Sequence, residues 1–233
     1  MSFAIRGFGV TALGLKAIPV RTRLVRPNDD LIALVEPAIA GIARVGDVVA
    51  ISESAVAIAQ GEFLAAEYVR PSRLAYALSR RTDALATISQ PESMQLVMDK
   101  AGTWRVVYAT LAHTLARAAG RRGTFYELMG EAVAAFDGYT GTMPPYERAI
   151  VFAPRDSNGF ARDFFERTGV ACAVVDANDL RKAKVLGASS GVRRDVVEAA
   201  LLENPHGNSD EQTPVVVLKW RGEGTSPLFE TPR

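Results

Sequence analysis

The chain has little of what marks a specialised protein class. One cysteine, Cys172, among 233 residues rules out an internal disulfide framework and points to a reducing, cytoplasmic setting. Two histidines are too few for a zinc site built from His and Cys. Neither sign of charge is in excess: 27 Lys and Arg against 26 Asp and Glu give a net charge of +1 with no basic domain, so nucleic acid is not an expected partner. No apolar run approaches the roughly 18 residues of a membrane span, so no membrane partner is expected either. Residues 1–15 carry Arg6 and three glycines where a secretion signal needs its apolar stretch. Walker and G-x-G-x-x-G phosphate loops are missing, as are G-x-S-x-G elbows, internal repeats and low-complexity segments.

What remains is an ordinary globular composition, 48% hydrophobic and 23% charged, enough for one large domain or two small ones. At this length about 70% of the unfolded surface can be buried without staples. Apolar residues interleaved with Arg21 and Arg23 predict a strand over 18–25, ended by Pro27-Asn28-Asp29-Asp30. Asp29 or Asp30 can cap the helix that follows, whose Leu31, Leu34, Val35, Ala38, Ile39 and Ile42 recur at helical spacing. Pro37 should kink that helix or end it early. A strand over 48–51 leads into Ser52-Glu53-Ser54 and a small-residue segment at 55–61.

Helices are predicted over 71–81, from residue 90 onward, and over about 104–119, the last stopped by Gly120-Arg121-Arg122-Gly123. The paired arginines there complement the helix dipole or bind an anion. Trp104, Tyr108, Leu111 and Leu115 form a stripe that reads as core, with His113 structural or at the surface. Residues 126–137 fit helix or strand, and 138–146 form a loop. Strands at 150–152, 171–175 and 215–220 then alternate with helices at 158–168 and 191–203. The tail from 222 holds two prolines and is expected to be flexible or draped on a partner. This order predicts a mixed fold, α+β or mixed α/β, as a single domain over 1–233 with a possible division into two lobes near 138–146.

Four places offer chemistry. In Val174-Val175-Asp176-Ala177-Asn178-Asp179 a buried-looking strand runs into oxygen donors, and an extended chain puts Asp176 and Asn178 on one face. Such donors at a strand end suit Mg²⁺ or Mn²⁺; the same residues also make a plain Asx turn. Lys184-Val185-Leu186-Gly187-Ala188-Ser189-Ser190-Gly191 reads as a small-residue loop feeding a helix, with Arg181, Lys182, Arg193 and Arg194 around it. It fits either an anion site at a helix N-terminus or a Ser-capped helix with solvated cations. The polar run 204–214, from Asn204-Pro205-His206-Gly207 to Glu211-Gln212-Thr213-Pro214, is a flexible loop or a set of groups facing a ligand, with Glu211 and Gln212 able to meet a metal or an amine. Asp137 is an isolated carboxylate among aromatics.

Thr22-Arg23-Leu24-Val25-Arg26-Pro27-Asn28-Asp29-Asp30-Leu31 and the segment from Gly46-Asp47-Val48-Val49 through Ala59-Gln60-Gly61 resemble the N-terminal region of the coenzyme F420-0:L-glutamate ligases, the γ-glutamyl ligases. Asp176–Leu180, Val185–Ser189, Asn204–Gly207 and Glu211–Pro214 resemble C-terminal signatures of a shorter, divergent branch of that family. The resemblance implies a γ-glutamyl ligase-like fold with mixed sheets in an intertwined homodimer. It also implies a GTP- and divalent-metal-dependent amide ligase that adds L-glutamate or a similar amine to an acidic small molecule. A non-catalytic relative that binds a nucleotide, deazaflavin or other anion is the alternative. On the ligase reading Asp176, Asn178, Glu211 and Asp137 supply oxygen to Mg²⁺ or Mn²⁺. Arg181, Lys184 and the segment Gly187, Ala188, Ser189 and Ser190 face phosphate, while Asp179 and Gln212 meet substrate. The chain differs from the ligases at Ser54 and Ile58, where they carry lysines.

Overall fold

The computed structural model describes residues 14–81, 87–121, 123–130, 136–137, 145–146, 148–179, 181–207, 211–222 and 225–230. In chain order the elements begin with β1 (Leu15–Val20), α1 (Leu31–Ile39), β2 (Val48–Ser52), α2 (Glu53–Ala59), β3 (Phe63–Ala65), α3 (Arg73–Ser79), α4 (Pro91–Ala101), α5 (Thr103–Ala118) and α6 (Thr124–Met129). They continue with β4 (Phe136–Asp137), β5 (Ala149–Phe152), α7 (Ser157–Thr168), β6 (Ala171–Asn178), β7 (Lys182–Ala188), α8 (Arg194–Ala200) and β8 (Val215–Trp220). Two compact units result: Met1–Glu62 together with Pro154–Arg233, and an inserted unit, Phe63–Ala153. The fold is mixed α+β with a mixed sheet.

The first unit is built on a five-stranded sheet in the order β1-β8-β2-β6-β7. Only β2 and β6 pair in parallel; β1 with β8, β8 with β2, and β6 with β7 are antiparallel. Helices lie on both faces. Val48, Ala50, Ala173, Val175, Val216 and Leu218 join Val196, Val197 and Leu201 of α8 and its C-terminal flank in one core, while α7 packs on β6 and β7. A strand covered on both sides reads as a continuous apolar run, and Val48 to Ile51 are fully buried at every position. Asp30, not Asp29, caps α1 by accepting from Ala33 N at 3.0 Å. Asp29 instead accepts from Arg26 N at 2.7 Å and binds Arg23. Pro37 lies inside α1, which ends two residues later, short of the Ile42 that the spacing predicts.

Several local expectations are corrected here. The first strand occupies Leu15–Val20 rather than 18–25, because the chain leaves the sheet at Arg21 and Thr22 N bonds to Gln212 O at 3.1 Å. Residues 184–188, the first part of the segment read as a loop, belong to the edge strand β7. Its lysines 182 and 184 are exposed, and Val185 and Gly187 are buried in alternation. Glycine is required at 187, since a Cβ there would overlap the backbone of Ser157 and Asn158 at the start of α7. The last helix is shorter than 191–203, spanning Arg194–Ala200. Residues 225–230 of the tail are docked: Leu228 is fully buried, Arg193 N donates to Leu228 O, Glu230 N donates to Gly191 O, both at 2.8 Å, and Phe229 bridges Val192. The rest of the expected flexible tail beyond Gly222 lies outside the described residues.

The inserted unit carries a three-stranded antiparallel sheet, β3-β5-β4, with α3 to α6 around a core of Ala75, Leu78, Met94, Val97, Val106 and Phe125. Within α5 the buried face is Val106, Ala109, Thr110 and His113, so the Trp104–Leu115 stripe is not core. Both faces have helical spacing. The one with the smaller side chains packs inward, against α4 and α6. The loop at 138–144 lies outside the described residues. Among the described residues no helix is long and apolar enough to cross a membrane.

Candidate functional site

β2 and β6 run side by side and emerge together at Ser52 and Val175. The C-terminal ends of parallel strands are where open α/β sheets hold ligands. Here two further strands converge on that end: Val20 closes β1 opposite Val215, the first residue of β8. Pro214 O accepts from Ser52 N at 2.8 Å, and Gln212 O accepts from Thr22 N at 3.1 Å. Residues 20–22, 52–54, 176–179, 203–207 and 211–214 are thereby gathered at one edge of the first unit.

β6 projects beyond this line. Asp176 and Asn178 follow Cys172 and Val174 on the α7 side of the strand, opposite Lys184 and Lys182 of β7 respectively. Neighbouring atoms desolvate the Asp176 carboxyl and raise its pKa; Lys184 pulls it the other way. Cys172 is buried, and burial pushes its thiol pKa up, so it is an inert packing residue.

The turn after β6 meets the 203–207 segment. Asn204 Nδ2 donates to Asp179 Oδ1 at 2.6 Å, and Arg181 pairs with Glu203 at 2.7 Å. Gly207 N donates to Asn204 O at 3.0 Å, and the Glu211 carboxyl lies over Gly207, 2.7 Å from where a Cβ would stand. Three of the non-glycine residues with positive φ belong to this region: Arg181 at 57°, Asn204 at 43° and Gln212 at 53°. Asn tolerates that conformation, but Arg and Gln hold it at a cost of about 1 kcal/mol or more, and such strain clusters at functional sites.

His206 is a residue that the sequence reading left without a role of its own. It is 8% exposed, and its Nδ1 lies 3.2 Å from Thr213 O. A carbonyl only accepts, so Nδ1 carries the proton and Nε2 presents a lone pair. That nitrogen is buried without a partner among the described residues. Burial lowers the ring's pKa to about 4, so the imidazole is neutral at physiological pH. The Thr213 hydroxyl donates back to His206 O and closes a ring that fixes the side chain. The one signal available beforehand was a histidine in an eleven-residue run without apolar content.

The proposed oxygen donors divide accordingly. Asp176 and Asn178 share a face, Asp179 engages Asn204, and Glu211 sits with Gly207. Asp137 belongs to the inserted unit, at β4. Among the described residues no three His, Cys, Asp or Glu side chains gather as a closed cation cage. A divalent ion carried on phosphates needs only one or two carboxylates from the protein, and Asp176 with Asn178 fits that smaller demand. Of the residues expected to face phosphate, Arg181 and Lys184 are exposed on this edge, and Ser190 is an exposed turn residue. Gly187, Ala188 and Ser189 are engaged within the fold. Gly187 lies against α7, Ala188 N donates to Asn158 Oδ1 at 3.2 Å, and the buried Ser189 hydroxyl donates to Ala161 O and accepts from Cys172 N, both at 2.9 Å.

No curated protein matches the chain. A family does: the sequence model of F420-0:Gamma-glutamyl ligase matches residues 19–175, which is about two thirds of the chain and includes the whole inserted unit. The match ends at Val175, one residue before Asp176 in β6. On that match the chain belongs to the F420-0:Gamma-glutamyl ligase family.

Proposed function

We propose that this protein is an amide ligase of the γ-glutamyl ligase kind. It activates the carboxylate of an acidic small molecule with GTP and joins it to the amine of L-glutamate or a similar amino acid. The observation that supports this reading is the convergence, at the end of the parallel β2–β6 pair, of the chain segments that carry Asp176, Asn178, Asp179, His206 and Glu211 in a member of that family. In the first step an acceptor carboxylate oxygen bonds to the γ-phosphorus as the bond to the β-phosphate bridging oxygen breaks, giving an acyl phosphate and GDP. In the second the amine nitrogen bonds to the acyl carbon, orthophosphate leaves with the former carboxylate oxygen, and the nitrogen loses a proton.

The residues on this edge suit parts of that sequence. Arg181 and Lys184 attract the phosphates and the acidic acceptor. Asp176 and Asn178 offer oxygen to a Mg²⁺ or Mn²⁺ ion, whose chemistry is to neutralise phosphate charge. Asp179 and the Gln212 side chain fit the ammonium and carboxylate of the amino acid. The test is orthophosphate release from GTP and Mn²⁺ that requires both glutamate and an acidic acceptor. Asp176→Ala, whose side chain contributes little to the core, should remove it while leaving the far-UV spectrum and melting temperature in place. Release independent of glutamate, or unchanged by Asp176→Ala, overturns the reading.

One observation favours a second reading. Ile58, at a position where the ligases carry lysine, is 7% exposed within α2, so a cation has no counterpart there. A non-catalytic relative that binds a nucleotide, deazaflavin or other anion at the same edge predicts metal-dependent thermal stabilisation by GTP without turnover.

A further inference from the structure

α3 turns a basic face outward. Ala75, Leu78 and Ser79 are buried on its inner side, the first two in the core of the inserted unit, while Arg73, Tyr76, Ala77 and Arg80 are exposed on the other. Arg80 is the C-cap residue, one position beyond Ser79. Positions 73, 76, 77 and 80 fall on one line of a helix, so two guanidinium groups bracket a small alanine and a tyrosine that is 45% exposed. Arg70 and Arg81, also exposed, carry the positive charge past both ends. Between Glu67 and Glu92 the sequence has a single acidic residue, Asp83. Among the described residues none of these four arginines pairs with a carboxylate. Other exposed arginines do: Arg23 with Asp29, Arg121 with Glu127 and Arg167 with Asp30.

We infer that this face docks an acidic helix of another protein, with carboxylates two turns apart set against Arg73 and Arg80 and an apolar side chain between them against Tyr76 and Ala77. Charge selects the partner's sign, because a row of unpaired guanidinium groups calls for carboxylates, which bind them through paired hydrogen bonds. Spacing selects its shape. At about 1.5 Å per residue the backbone at 73 and 80 is about 10 Å apart, which matches side chains two turns apart on a facing helix. It is too wide for both groups to grip one phosphate without leaving their line. The small Ala77 lets a second backbone come close, along the line on which helices interdigitate. A second copy of this chain does not fit, since parallel copies of the face set each arginine on its own image and antiparallel copies set Arg73 on Arg80. The contact is only about two turns long, so the complex belongs to the weak, transient class. Each exposed ion pair adds little affinity; together they fix which helix docks and in what register. The inference does not rest on the ligase reading.

The probe is a fluorescein-labelled, alanine-rich peptide of about 20 residues, long enough to be helical alone, with glutamates two turns apart and leucines between them. Fluorescence anisotropy against the full chain should give a Kd on the order of 10 µM at low salt, weakening as salt is raised. Arg73→Glu combined with Arg80→Glu should weaken binding at least tenfold, and that variant should instead take up the matching peptide with lysines in place of the glutamates. Both positions are exposed, so its far-UV spectrum and melting temperature should stay those of the wild type. Should the reversed charges disturb the fold, Arg73→Gln with Arg80→Gln makes the same comparison and should also weaken binding at least tenfold. A wild type that does not bind the acidic peptide overturns the inference, as does binding that neither pair of substitutions weakens. So does a folded charge-reversed variant that ignores the lysine peptide. An oligodeoxythymidine of equal charge that binds the wild type more tightly than the peptide also overturns it, and would make this a surface for phosphate backbones.

Discussion

His206 couples the candidate edge to pH. The unfolded chain takes up a proton on this ring near pH 6.5, whereas the folded protein does so only at about 4. Between those values the unfolded state holds more protons, so the stabilisation is complete above 6.5 and lost as pH falls, at up to about 1.4 kcal/mol per unit. Over the window the loss approaches about 3 kcal/mol. Asp176, with its carboxyl pKa raised by desolvation, works in the opposite direction. Urea unfolding at pH 7, 6, 5 and 4 should show this slope, and His206→Gln should flatten it even though the substitution lowers stability at pH 7. Equal slopes in the two proteins would remove the buried neutral ring from the explanation. At this scale the sequence was partly legible. Asp176 and Asn178 share a face because a strand alternates, which any reader of 171–178 can infer. The role of His206 was not, because it depends on Thr213 O lying beside Nδ1, and a loop's internal contacts leave no period in the sequence.

Among the elements, α1 shows how one side chain serves two ends of the chain. Asp30 accepts from Ala33 N and also binds Arg167 in the last turn of α7, at 2.9 Å. Both interactions hold its carboxyl pKa below the usual range, Arg167 first, so its contribution is present above pH 3.8 and fades as the pH falls further. Asp30→Ala should cost about 1–2 kcal/mol in urea unfolding. Asp30→Asn keeps an acceptor for Ala33 N and loses only an exposed ion pair, so it should cost under about 1 kcal/mol. Equal losses would show that the ion pair, not the cap, does the stabilising. The cap was readable beforehand because Asp before an apolar period is a local signal. β7 and α5 were misread for a shared reason, that tertiary partners decide which local pattern is used. Lys182 and Lys184 alternate with small residues, a pattern that fits a loop until β6 pairs with it. On α5 two faces compete for the interior, and periodicity cannot rank them.

At the scale of the molecule, the five-stranded sheet of the first unit is interrupted in sequence by the inserted unit. Strands β1 and β2 precede Phe63–Ala153, while β6, β7 and β8 follow it, so the five-stranded sheet exists only when both flanks are present. The chain leaves and re-enters this unit at nearly the same place. Gln60 Oε1 accepts from Arg155 N at 2.9 Å, Gln60 O accepts from Arg155 Nη2 at 3.1 Å, and Glu62 pairs with Arg155. A short linker can therefore replace the whole insertion. Closing a shorter loop costs less entropy, by about 0.6 kcal/mol for each halving of length. A chain joining Glu62 to Pro154 through a few Gly and Ser residues should fold cooperatively in urea and keep the protection of β2, β6 and β8 amides from hydrogen exchange. Every residue assigned here to the ligand edge survives in it. If that edge binds nucleotide by itself, GTP with Mn²⁺ should raise the melting temperatures of the shortened chain and of the full one alike. A shortened chain that folds but does not respond would assign part of the nucleotide site to the inserted unit, and one that fails to fold would show that the sheet depends on the insertion for more than connection.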